Sequence, residues 1–97
     1  MSACAMLSYN NVTATVWSCA VSAAAQYGVQ ITTNNGQATQ DGFTIAWNYN
    51  PGAETLSIQC TDSPFWAPCG LINSKINDAI EACFNQHNIE MVHMVPA

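Results

Sequence analysis

The chain of 97 residues is long enough for one domain, residues 1–97, and too short for two, because compact domains most often contain about 100–150 residues. Its residues are 49% hydrophobic and only 7% charged, which excludes a disordered polymer, and no run approaches the roughly 20 apolar residues of a membrane helix. One Lys+Arg against six Asp+Glu gives a net charge of −5, which disfavours nucleic acid and anionic membranes as partners.

Every charged side chain lies between Asp41 and Glu90, so residues 1–40 carry none. Because charges are the usual protection against unwanted association, a neutral polar surface favours pairing of the chain with itself. The first residues lack the basic region and the apolar stretch of a secretory signal. The sequence therefore leaves the compartment undefined, and an extracellular or periplasmic location requires that a leader has been removed.

The first predicted element is a helix over residues 13–27. Its apolar side chains recur at steps of three and four residues, as in a core-facing stripe formed by Val16, Trp17, Ala20, Val21, Ala23, Ala24 and Tyr27. Asn11 or Thr13 can cap its start, and Gly28 can end it. Residues 12–16 are rich in β-branched side chains and also alternate like a strand, which is the alternative for the first turn.

Three strands are predicted next. Residues 29–33 alternate apolar and polar side chains and precede residues 34–36, Asn-Asn-Gly, which are typical of a turn. Residues 43–49 and 56–60 alternate in the same way on either side of residues 50–53, whose Pro-Gly pair indicates a hairpin. The three strands would form an antiparallel meander.

A rigid connector and a second helix follow. Residues 63–68 contain two prolines, which interrupt regular structure, and Pro68 suits the first position of a helix. Beyond it, one face of the predicted helix is apolar and consists of Ile72, Ile76, Ala79, Ile80, Cys83 and Phe84. Residues 89–95 have the composition of either a short strand or a docked tail.

Together these elements predict an α+β fold. We expect a two-layer sandwich in the order helix, three-stranded antiparallel meander, helix, with a short C-terminal strand as one option for the tail. The helices would cover the aromatic face of the sheet. The other face would be flat, polar and uncharged, and its predicted binding residues are Thr44, Asn48 and Gln59.

The five cysteines show no C-x-x-C spacing of the kind found in zinc sites and dithiol redox couples. The predicted disulfide joins Cys60 to Cys69, because a short loop connects the end of the third strand to the first turn of the helix. Such a bridge would contribute roughly 2–3 kcal/mol, and two free buried thiols are the alternative. At a helix N-terminus the Cys69 thiolate would be stabilised, so a thiol redox enzyme or sensor using Cys69 with Cys60 is a second functional hypothesis.

No metal, cofactor or catalytic residue is predicted. The tail contains side chains that suit copper, although packing into a core is their commoner role: His87, Met91, His93 and Met94. Asp78 and Glu81 lie one helical turn apart near Lys75, which is typical of a solvated helix face. No Ser-His-Asp order, phosphate-binding glycine loop or dinucleotide motif occurs, so an enzyme is disfavoured.

Phe65 and Trp66 lie between the two prolines of the connector. They either close one end of the sandwich, which is the favoured interpretation, or project as binding residues for a partner. The charge-free residues 1–40 and the missing catalytic set favour a non-catalytic module for protein interaction or self-association, with a homo-oligomer or another protein as partner. A module that binds a small ligand such as carbohydrate through the polar sheet face is a third hypothesis.

Overall fold

The computed structural model of this protein describes residues 3–86 and the strand at residues 92–94. Two helices and an antiparallel sheet make up this part of the chain, which confirms the expected mixed α+β class. In chain order the elements are β1 (Leu7–Asn10), α1 (Ala14–Gln26), β2 (Asn35–Gln40), β3 (Phe43–Asn50), β4 (Thr55–Asp62), α2 (Cys69–Gln86) and β5 (Val92–Met94).

The strands are ordered β2-β3-β4-β1-β5 in the sheet, and each adjacent pair is antiparallel. The predicted hairpin is confirmed as β3 and β4, with Trp47 opposite Ile58. Its turn is held by the side chain of Asn50, whose Oδ1 accepts from the backbone N–H groups of Gly52 at 3.0 Å and Ala53 at 3.2 Å. The meander is therefore part of a larger sheet, because β1 and β5 extend it beyond β4.

The predicted first strand is wrong. Residues 29–33 form no strand, and β2 begins at Asn35, inside the expected turn. Glycine suits position 36 because its neighbour across the sheet is Trp47, and a Cβ on residue 36 would lie only 3.2 Å from the indole. The actual turn is formed by Asp41 and Gly42, with φ angles of 54° and 86°, and this pair is a strong hairpin signal.

The sequence did not predict strand β1, which lies between β4 and β5 in the sheet. Leu7 and Tyr9 are buried and alternate with Ser8 and Asn10, but four residues are too few for a clear pattern of period two. Val92–Met94 pairs with this strand, so the option of a C-terminal strand is confirmed for those three residues. The rest of the predicted tail lies outside the described residues.

Both helices begin and end close to the predicted positions. Thr13 caps α1, since its side chain accepts a hydrogen bond from the backbone N–H of Val16 at 3.3 Å, and Gly28 follows its end with a φ of 84°. The carbonyl of Pro68 accepts from the backbone N–H of Ile72 at 3.2 Å, which starts α2 one residue after the proline. Neither helix has the length and hydropathy needed to cross a bilayer.

The main core lies between the helices and one face of the sheet. Its most deeply buried large side chains are Tyr9, Val12 and Val16 near the start of the chain and Leu56 and Phe84 farther along. Polar ends of aromatic side chains in this core have partners, as buried hydroxyls require. Tyr49 donates to the carbonyl of Val12 at 2.8 Å, Trp47 donates to that of Thr33 at 2.9 Å, and Tyr9 donates to the Asn77 side chain at 2.9 Å.

Two disulfides hold the helices in place, and neither is the predicted Cys60–Cys69 bridge. Cys69 is bonded to Cys4, with Cα atoms 5.3 Å apart, and Cys19 is bonded to Cys83, with Cα atoms 5.7 Å apart. Cys60 is a free, buried thiol. The prediction failed because it took no account of the N-terminal segment, which lies beside β4 and brings Cys4 to the first turn of α2.

Candidate functional site

An apolar cleft of about 400 Å³ lies between α1, α2 and the sheet. Eighteen of its lining side chains are apolar or aromatic, and the other three are Gln40, Asp41 and Lys75. Cavities that bind small molecules typically have volumes of about 300–1,000 Å³ and apolar walls with a few polar groups. The cleft therefore has the size and the lining of a ligand site.

The small side chains of α1 create this cleft. Ala20, Ala23 and Ala24 line it, whereas Val16 is the only residue of α1 that is fully buried. The predicted apolar side chains of α1 therefore face the sheet, but the alanines among them are too short to pack against it. A methyl group on each turn cannot reach the opposite wall, so the volume between helix and sheet remains unfilled.

The other walls consist of larger aliphatic side chains. The sheet side contributes Ile45 from β3 and Ile58 from β4, together with Ile31 from the irregular segment before β2. All three are only partly buried, although they pack against the main core. From α2, Ile72 and Ile80 complete the enclosure. The cleft is thus continuous with the core and not a surface depression separated from it.

Aromatic side chains stand at the edge of the cleft. Trp66 lines it and is 65% exposed, and its ring meets that of Phe43 edge-on with centroids 5.8 Å apart. Tyr27, at the end of α1, also lines the cleft and is exposed. Phe65 is 93% exposed and lies outside the lining. The favoured expectation that both rings close the end of the sandwich is therefore wrong for Phe65, whereas Trp66 covers part of the edge of the cleft and remains mostly exposed.

The charged groups of the cleft come from opposite walls. Asp41 belongs to the β2–β3 turn, and Lys75 belongs to α2. Lys75 is exposed, as expected for the helix face that carries Asp78 and Glu81, and it also lines the cleft, one turn from Leu71 and one turn from Ala79. No described side chain forms an ion pair with Lys75.

The predicted polar face exists on the side of the sheet away from the main core. Thr44, Asn48 and Gln59 lie on it, because Ile45 and Trp47 between them point into the core. Two of the three already have partners. The side chain of Gln59 donates to the carbonyl of Cys4 at 2.7 Å, and the hydroxyl of Thr44 lies 2.9 Å from that of Thr39.

The structure provides no support for thiol chemistry between Cys60 and Cys69. Cys69 is held in a disulfide with Cys4. Burial raises the pKa of the Cys60 thiol, which donates a hydrogen bond to the backbone carbonyl of Asp62 at 3.1 Å. A nucleophilic cysteine needs a lowered pKa and access to solvent, and Cys60 has neither.

Within residues 3–86, no group of His, Cys, Asp and Glu side chains is arranged to hold a metal ion. The side chains of the tail set considered for copper lie outside the described part of the chain: His87, Met91, His93 and Met94. Comparison with protein-family models, with curated proteins and with solved structures finds no match for this chain. The geometry of its own residues therefore carries the functional argument.

The apolar cleft was missed at the sequence level, although one signal for it was present. Three of the seven residues in the predicted stripe of α1 are alanines. Alanine favours the helix but contributes little volume to a core. A helix that presents alanines toward a sheet of isoleucine and tryptophan side chains leaves a gap unless another element fills it.

Proposed function

We propose that this protein is a non-catalytic binding module that holds a small apolar ligand in the cleft between α1, α2 and the sheet. In this proposal the domain is the two-layer sandwich expected from the sequence, and the ligand lies between its helical layer and its sheet. The observation that carries it is the nearly uninterrupted apolar lining of a cleft of about 400 Å³. Apolar surface removed from water contributes roughly 25 cal/mol per Å² to binding before its entropic costs.

The covalent framework supports a binding role. Cys19 and Cys83 join the two helical walls directly, and the first turn of α2 is joined to the N-terminal segment through Cys4 and Cys69. A preformed site loses less conformational entropy when it binds a ligand than a site that must be assembled. The disulfides therefore favour retention of the open cleft in the free protein.

A neutral fluorescent probe tests this function. N-phenyl-1-naphthylamine emits strongly only in apolar surroundings, so its emission should rise on addition of the protein and saturate at one probe per chain. Ala20→Leu places a larger side chain in the cleft and should weaken probe binding by at least tenfold. Ala25→Leu is the matched control, because residue 25 is exposed on the same helix outside the cleft lining. Equal binding by both variants would exclude the cleft as the site.

Self-association is a second candidate function, and the observation that favours it is β2. This strand is an edge of the sheet, and its residues Asn35–Gln40 include no charged side chain and no proline. Natural edge strands usually carry such residues to prevent pairing with another chain. An antiparallel pair of β2 strands from two copies would continue the sheet across a homodimer.

Light scattering after size exclusion tests this second function. Wild-type protein should change from monomer to dimer with rising concentration, and Gln37→Lys, which adds a charge to β2, should remain monomeric. Thr32→Lys adds the same charge at an exposed position outside the strands and should dimerise like the wild type. A wild-type protein that stays monomeric at millimolar concentration contradicts this candidate.

A further inference from the structure

Lys75 is the only Lys or Arg side chain of the chain, and it lines the apolar cleft. It lies at the edge of the cleft, because Leu71 and Ala79, one turn before and one turn after it on α2, also line the cleft and Leu71 is exposed. Lys75 is exposed, and a lysine at the edge of an apolar cleft can keep its ammonium group in water while its methylene groups cover apolar surface.

We propose that the ligand is an anionic amphiphile, with an acyl chain in the cleft and a carboxylate beside Lys75. This inference rests on the proposed function and names the class of its ligand. The chain carries a net charge of −5, so an anion is repelled by the protein as a whole and requires a local cation for recognition. Lys75, the single Lys or Arg of the sequence, supplies this positive charge at the cleft.

Asp41 is the other charged group of the lining, and its presence has a separate structural cause. It adopts a φ of 54° in the β2–β3 turn, a conformation that Asp tolerates better than most residues do. Lys75 lies within α2 and forms no ion pair with a described acidic side chain. The ammonium of Lys75 is therefore the group assigned to the ligand.

Three probes with the same alkyl chain separate the charge of the ligand from its apolar part. Dodecanoate and dodecyltrimethylammonium below their critical micelle concentrations, and dodecanol below its solubility limit, are titrated into the protein by calorimetry. Tryptophan emission, to which Trp17 and Trp66 in the cleft lining contribute, is a second readout. We expect dodecanoate to bind most tightly and the cation most weakly. Lys75→Gln should weaken dodecanoate binding about fivefold and change dodecanol binding by less than about twofold.

Asn85→Asp is the matched control. It changes the net charge by the same amount as Lys75→Gln, but residue 85 is exposed on α2 outside the cleft lining. This variant should bind dodecanoate almost as tightly as the wild type does. Asp41→Asn should bind it equally well or more tightly, because a repelling carboxylate has been removed.

The outcomes distinguish this inference from the function on which it rests. If dodecanol binds as tightly as dodecanoate, or if Lys75→Gln and Asn85→Asp have equal effects, the anionic ligand is excluded and the apolar cleft remains a binding site. If the cation binds most tightly, the sign of the assignment is wrong. If none of the three probes binds, both proposals fail, and a dimer in which Trp66 is protected from acrylamide quenching would identify a second copy of the chain as the occupant.

Discussion

The backbone N–H of Cys4 donates to the carbonyl oxygen of Cys60 at 2.8 Å, although the side chain of Cys4 is bonded to Cys69. Both residues belong to a small buried cluster with Ala67 and Ile72. Three of the five cysteines therefore meet at one end of the sheet, and only the fold decides which two of them are joined.

Mapping of the free thiol checks this arrangement. We expect the native protein to react very slowly with iodoacetamide, because Cys60 is buried and its raised pKa leaves little thiolate at neutral pH. In denaturant, one equivalent should react, and mass spectrometry of the digested protein should find the label on Cys60. Label on Cys4 would instead support a Cys60–Cys69 bridge.

Removal of the bond between the helices should be costly. The Cys19–Cys83 disulfide spans a sequence separation of 64 residues, for which the chain-entropy estimate is about 4 kcal/mol. We expect the double variant Cys19→Ala and Cys83→Ala to lower the free energy of unfolding in urea by roughly 3–5 kcal/mol. Cys60→Ala leaves both disulfides intact and should cost less, about 1–2 kcal/mol. Equal losses would contradict the pairing.

Filling the cleft should stabilise the free protein. Ala20→Leu adds methylene groups that lie against the apolar wall, and each one that becomes buried contributes about 0.8 kcal/mol. Because the cleft is open to water, we expect a net gain of about 1 kcal/mol in the free energy of unfolding. Ala25→Leu, on the exposed face, should change it by less than about 0.5 kcal/mol. A loss of stability in Ala20→Leu would show that the cleft is closed in solution.

Stability should fall at alkaline pH in a manner that depends on Tyr9. Burial, assisted by the nearby charge of Glu81, raises the pKa of Tyr9 from 10.0 to about 12. The unfolded chain therefore loses this proton first, so the contribution of Tyr9 is complete below pH 10 and is lost as the pH rises toward 12. The urea midpoint should decrease over that range, and Tyr9→Phe should make the decrease shallower.

Burial also raises the pKa of Tyr49, so Tyr9→Phe should not abolish the decrease. At neutral pH this variant should cost about 1 kcal/mol, because Asn77 loses the hydroxyl that donates to it. Tyr27→Phe, which removes the hydroxyl of an exposed ring, is the control and should leave the urea midpoint at neutral pH unchanged. A wild-type midpoint that is constant from pH 10 to pH 12 would contradict the burial of Tyr9.

The sequence was sufficient for the elements with strong local signals. The hairpin of β3 and β4 follows from alternation around Pro51-Gly52, and α1 follows from its apolar spacing and from the cap at Thr13. The sequence was insufficient where contacts with residues distant in the chain determine the local conformation. Gly36 resembles a turn residue in the sequence, yet it belongs to β2 and pairs with Trp47, whose indole lies close to the position of a Cβ on residue 36.

The candidate site was predictable only in part. The neutral face with Thr44 and Asn48 follows from strand alternation, whereas the favoured interpretation of Trp66 as a side chain that closes the sandwich did not predict its exposure. The cleft exists because the space between α1 and the sheet is not filled, and the pattern of residues in the sequence does not give that volume. Periodicity identifies the face of α1 that turns inward, but it cannot show that methyl groups such as that of Ala20 stop short of the sheet.

The Cys19–Cys83 disulfide links α1 and α2 covalently on one side of the sheet. A covalent bond therefore restrains the distance between these helices, whether or not the cleft is occupied. Reduction of this disulfide would leave the width of the cleft to side-chain packing alone, so the shape of the cleft depends on the redox state of its surroundings.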